Sequence, residues 1–248
     1  MELYRNFPFK IATALTMCEA TRALLDPYGR ASYAQTGEDR IIESYVDSTR
    51  VGFYVDVGCH HPFRGSNTLA LYSRGWRGVV VDGNPESIAF FKRVRPRDVA
   101  ICAIVSDQER PVTFTLAKTS ELSTVSSKFE RDRIGKSGVK ERVTVNAITL
   151  QTVMEKSGVP STFDLLSIDV EGHDYEVLTS FNIDAFRPRV IVIEMHGFVP
   201  ASHTTDPIYR YLEEKNYYLR SYSVMNGIFL DASCQTPLSD LQKLSHIE

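Results

Sequence analysis

The sequence predicts an α/β fold, a mostly parallel sheet with helices on both faces, and three observations carry the prediction. Five short apolar runs, FYVDV (53–57), GVVVD (78–82), VAICAIV (99–105), FDLLSID (163–169) and RVIVIE (189–194), are apolar and rich in β-branched residues, as strands buried on both faces are. Segments with apolar residues at helical spacing lie between them, at 66–74, 85–94, 150–156 and 174–181, and this alternation marks a parallel sheet with crossover helices. Past the fifth run, 207–215 reads as a helix. YYLRSY (217–222) and GIFLD (227–231) then read as a hairpin joined through Met225-Asn226-Gly227, which adds an antiparallel edge.

The elements follow in order. The first run ends at Gly58, where the backbone can turn sharply, and 66–74 supplies the next helix. The second run ends in Asp82, and Pro85 suits the first turn of the helix that follows. After the third run, VTFTL (112–116) is a further strand candidate. The Ser/Thr/Lys/Arg-rich stretch 118–142 has no strong period and reads either as a substrate-covering loop or as a solvated connector. The fourth and fifth runs complete the sheet.

A chain of 248 residues is long enough for one large core, so one domain over 31–248 with a helical N-terminal extension over 1–30 is expected. Its 43% hydrophobic and 24% charged residues exclude a disordered or fibrous chain. A net charge of -3 gives no reason to expect a nucleic-acid or membrane partner. The basic residues of 118–142 are diluted by Glu121, Glu130, Asp132 and Glu141. Cys18, Cys59, Cys102 and Cys234 form no CxxC pair, so neither a zinc cage nor a disulfide framework is expected, and a cytoplasmic setting fits. The N-terminal apolar residues pack against the same chain or a second subunit, so a homodimer is one of two expectations.

In an open parallel sheet, ligands bind beyond the carboxyl ends of the strands. Asp56 lies in YVDVGCHHP (54–62) beside Gly58, where a backbone can approach a ligand closely. The loop does not match GxGxxG, because His60 and Phe63 stand where glycines should, and a pyrophosphate cradle is therefore unsupported. Asp82, in VVVDGNP (79–85), can accept hydrogen bonds from both hydroxyls of an adenosine ribose. Together these point to a ribose-bearing cofactor without a pyrophosphate. Asp107 follows the third run and Asp169-Val170-Glu171-Gly172-His173 the fourth, so one rim collects acidic residues.

With these motifs the sequence resembles the FkbM family of S-adenosylmethionine-dependent methyltransferases. The resemblance lies in YAQTGED (33–39), YVDVGCHHPFRGSNT (54–68), GWRGVVVDGNP (75–85) and SIDVEGHDYEVL (167–178), and spans about 32–200. It implies a Rossmann-like class I methyltransferase fold with a seven-stranded sheet and S-adenosylmethionine as cofactor. It places Asp56 and Gly58 in the methionine-side loop, Asp82 and Asn84 at the adenosine, and Ser106 and Asp107 beside the adenine. Gln35, Gly37, Glu38 and Asp39 would close over the site, and Ser66 and Asn67 follow the loop and cap the next helix. Cys59, His60 and His61 replace the small residues usual in that loop. His60 is expected against a neighbouring strand, with His61 turned toward the site.

The resemblance implies O-methylation of a sugar, glycan or natural-product hydroxyl, and a hydroxyl acceptor needs a base. Asp169, Glu171, His173, Glu194 and His196 lie at the rim, and His196, with Asp169 and Glu194 orienting it or the substrate, is the preferred assignment. Asp169, Glu194 and His196 could instead hold a divalent cation, although no compact metal motif calls for one. Two other readings remain: a catalytically silent cofactor-binding partner module, and a nicotinamide-dependent oxidoreductase.

Overall fold

The computed structural model describes residues 32–47, 49–119 and 122–234; the expected extension over 1–30 lies outside the described residues. In chain order the principal elements are α1 (Glu38–Tyr45), β1 (Phe53–Val57), α2 (Leu69–Ser73), β2 (Arg77–Asp82), α3 (Pro85–Val94), β3 (Val99–Cys102), β4 (Pro111–Ala117), β5 (Val139–Asn146), α4 (Leu150–Lys156), β6 (Thr162–Ile168), α5 (Asp174–Thr179), β7 (Arg187–Glu194), α6 (Pro207–Glu214), β8 (Tyr217–Ser223) and β9 (Asn226–Asp231). Seven strands form one sheet in the order β3-β2-β1-β6-β7-β9-β8. The pairs from β3 to β7 are parallel, whereas β9 runs antiparallel to both of its neighbours. The expected mostly parallel seven-stranded α/β sheet is therefore present. Among the described residues, no helix is long and apolar enough to cross a membrane.

Strand alternation divides the core between two faces. Val55, Val57, Val79 and Val81 pack with Leu150 and Val153 of α4, Val177 and Leu178 of α5 and Ile208 and Leu212 of α6. Tyr54, Val80 and Leu165 pack on the other face with Ile42 of α1, Leu71 of α2 and Ile88 and Phe91 of α3. Burying each such aliphatic side chain is worth about 1.5–3 kcal/mol. Local signals set the helix starts. Asn84 accepts a hydrogen bond from the Glu86 amide ahead of Pro85, Thr149 caps α4, and Asp206 caps α6 ahead of Pro207.

Three expectations change. β3 is the exposed edge and stops at Cys102, because only β2 pairs with it. The β8–β9 turn is Val224-Met225, with Val224 at φ 53°, and Asn226 already pairs with Ser223. The stretch 118–142 is not a single loop. Its last residues begin β5, which pairs antiparallel with β4, and the helical turns Ser127–Phe129 and Glu130–Ile134 precede it. This hairpin adds a small core of Ile104, Phe114 and Ala147 beside the sheet.

Candidate functional site

A cleft of about 590 Å³, open to solvent, lies at the carboxyl ends of β1, β2 and β6, where an open parallel sheet binds its ligands. Gly58 (φ +80°) forms its floor: a Cβ there would stand 1.7 Å from the Asp169 carbonyl oxygen. The Gly58 and Cys59 amides bond to the Val81 carbonyl, and the Asp169 amide to that of Val57, so the three strand ends are tied together. Asp82 accepts the His60 amide on one carboxylate oxygen (2.8 Å) and the Asn84 amide on the other (2.7 Å). Each oxygen keeps lone-pair capacity toward the cleft. Ile104, Phe114 and Val125 make an apolar wall opposite, and Ser123 and Thr124 complete it.

Phe63, Arg64 and Gly65 of the first loop are exposed, whereas its two ends are buried. Asp56 is buried and accepts a hydrogen bond from Thr68 Oγ1 (2.8 Å); burial pushes its carboxyl up, opposed by the Thr68 and Ser167 bonds. Ser66 accepts the Leu69 amide at the start of α2, and Asn67 donates to Ser167. The histidines exchange their expected places. His60 lines the cleft, while His61 accepts the Phe63 and Arg64 amides and sits edge-on to Phe90. The reason is the left-handed backbone at His60 (φ 45°), which turns the chain after one residue.

Beneath this loop lies a network that sequence reasoning missed. Arg95 and Asp98 are fully buried at their side chains and paired at 2.8 Å. Arg95 also donates to Tyr54 Oη (2.7 Å) and Thr68 Oγ1 (3.0 Å), and Tyr54 donates to Asp98 (2.6 Å). Nothing in RVRPRD (93–98) marks which of its charges turns inward.

The 169–174 loop separates the cleft from a second one of about 1070 Å³, lined by residues that include Phe129, Arg133, Tyr175, Glu194 and His196. Between them stand Asp169, Glu171, Asp174, Glu194 and His196. His196 Nε2 is 2.9 Å from Glu194 Oε2 and 3.8 Å from Glu171 Oε2. Burial first, and then the neighbouring carboxylates of Glu194, Asp174 and Glu171, push Asp169 well above the usual carboxylate range. Asp174 is pushed up to about 8 by burial and then Glu194, although it accepts the Val170 and Gly172 amides. Burial also raises Glu171. Glu171 and Glu194 push His196 up to about 10. The ring is therefore held protonated at neutral pH in this arrangement, which differs from the neutral base expected of it. Asp174, at the start of α5, joins the cluster, although nothing in the sequence singles it out among the rim acids.

The other expected residues lie outside the first cleft. Ser106 is buried, bonding Asp107 and His173 Nε2 (2.9 Å each), and Asp107 also pairs with Arg110. Their neighbours Ile104 and Val105 line the cleft instead. His173 contacts Ser106 and Glu176 and is not among the residues lining either cleft. Glu38 is buried and accepts the Thr36 amide and Asn226 Nδ2 (2.8 Å), so the 33–39 segment clamps the β8–β9 turn. Gln35 on this segment is exposed. Thr124 Oγ1 donates to the Glu171 carbonyl (2.7 Å), and Phe129 stacks near His196, so 123–133 borders both clefts; its lack of period left no sequence signal.

The model of the methyltransferase FkbM domain matches residues 56–219, about two thirds of the chain. No curated protein matches the sequence. A solved structure described as a TehB-like SAM-dependent methyltransferase from Corynebacterium glutamicum aligns over 89% of this chain and 98% of its own at 15% identity. Its TM-score of 0.39 is too low to bear on the site.

Proposed function

Because the chain belongs to the FkbM methyltransferase family, we propose that it transfers a methyl group from S-adenosylmethionine to a hydroxyl oxygen of a sugar, glycan or natural product. The observation that carries this reading is the pair of clefts meeting at one carboxylate and imidazole cluster. The first cleft fits the cofactor: Asp82 would hold the ribose hydroxyls with its unused lone pairs, and Ile104, Phe114 and Val125 would pack the adenine. Gly58 lets the backbone approach a ligand closely. When bound, S-adenosylmethionine supplies a methyl group on a cationic sulfonium.

The second cleft, with Phe129, Tyr175 and Arg133 on its walls, suits a polar acceptor with apolar faces, such as a sugar ring. Alignment of the acceptor and exclusion of water are the main requirements of an in-line displacement, and the 123–133 segment is placed to supply both. The acceptor proton would pass to the cluster around Glu194. The reading needs no membrane or nucleic acid and suits a cytoplasmic enzyme.

Turnover with isotopically methyl-labelled cofactor on a panel of glycosides and hydroxylated polyketides tests it. Label on an acceptor oxygen is expected, with Glu194→Gln lowering kcat by about 10²-fold or more. Label on nitrogen, or cofactor binding without transfer to any acceptor, would overturn it.

A further inference from the structure

Glu194 presents an anomaly. Its side chain is only 4% exposed, yet its Oε2 accepts no hydrogen bond, and neither does His196 Nε2 make one, although the two atoms are 2.9 Å apart. The imidazole N–H axis is therefore not directed at the carboxylate. A buried carboxylate without a hydrogen bond is costly and calls for a missing partner. Two ligands at right angles on an octahedral ion, each at about 2.1 Å, stand about 3.0 Å apart, close to the separation found here.

The rest of the cluster has the same character. The ligand atoms of Glu171, Glu194 and His196 all lie within 4.8 Å of one another, as do those of Asp169, Asp174 and Glu194, so Glu194 belongs to both triads. Among the described residues, His196 is the only basic side chain in ion-pair contact with any of these carboxylates. Asp174 is fixed by the Val170 and Gly172 amides, which holds the loop that carries Glu171. Glu194 and His196 line the second cleft, so an ion could enter from solvent.

We propose that Glu171, Glu194 and His196 bind a divalent cation, with Asp169 and Asp174 facing it across Glu194. The ion displaces the proton that the two glutamates hold on the imidazole. Carboxylate oxygens with a single imidazole and no thiolate favour Mg²⁺ or Mn²⁺ over softer ions. The sequence alone did not call for this metal. At the edge of the second cleft the ion would meet the acceptor hydroxyl and stabilise its alkoxide. That role rests on the proposed O-methylation, whereas binding of the ion does not.

The test is titration of the full-length protein, stripped with chelator, with Mn²⁺ followed by electron paramagnetic resonance, without acceptor. Cofactor binding is measured in parallel by calorimetry. One Mn²⁺ per chain, displaced by excess Mg²⁺ and weakened tenfold or more in Glu194→Gln and in Glu171→Gln, is the expected result. Glu171→Gln, on a partly exposed loop, decides the matter if Glu194→Gln does not fold. Absence of Mn²⁺ binding, or binding that neither substitution weakens, would overturn the site even if cofactor binding is intact. Loss of cofactor binding alone would count against the methyltransferase reading and leave Mn²⁺ binding standing.

Discussion

Two groups of buried charge packed on the sheet are built in opposite ways. Around Arg95, each charge has a partner: the guanidinium pairs with Asp98 and reaches Tyr54 and Thr68, and Thr68 donates to Asp56. Around Glu194, four carboxylates face a single imidazole, and two buried polar atoms make no hydrogen bond. The first group is complete and joins β1, β2 and the 62–68 loop. The second is incomplete and lies between two clefts. Buried charge that is balanced acts as framework, and buried charge that is left unbalanced marks a place for a ligand.

Substitutions separate the two roles. Arg95→Met should show the largest effect, a loss of about 3–5 kcal/mol in urea unfolding, because it strands Asp98 in the core. A loss below about 1 kcal/mol would mean that the network is not framework. Gly58→Ala, in the loop between the groups, should cost about 2 kcal/mol or more from the left-handed backbone and the Asp169 contact; unchanged melting would show that the loop can relax. Glu194→Gln should leave metal-free stability within about 1 kcal/mol of the wild type, or raise it, by relieving repulsion among carboxylates. A loss as large as that of Arg95→Met would make both groups structural and remove the contrast. Asp107→Asn, outside both clefts, should change stability by no more than about 0.5 kcal/mol and leave cofactor affinity unaltered.

The contrast also explains what the sequence revealed. β1, β2 and α3 were legible because apolar runs end at punctuating residues, Gly58, Asp82 and Pro85. β5 was not, because Lys140, Glu141 and Arg142 sit in a hairpin strand with five of its eight residues exposed, and their charge hides the alternation of Val139, Val143 and Val145. Asp82 could be placed from the strand-end rule alone. The exchange of His60 and His61 could not, since it depends on one positive φ angle. Asp169, Glu171, Glu194 and His196 were visible one by one as rim residues. Their convergence with Asp174, four carboxylates around one imidazole, follows from β6 and β7 lying side by side.

Calorimetric titration of the purified protein with S-adenosylmethionine, with NAD as a control and Asp82→Ala as the variant, tests the central claim most directly. The wild type should bind one equivalent saturably, and loss of the Asp82 carboxylate should weaken binding by about tenfold or more, the worth of a charge-assisted hydrogen bond. No binding, preference for NAD, or equal affinity in the variant would contradict the assignment of the first cleft.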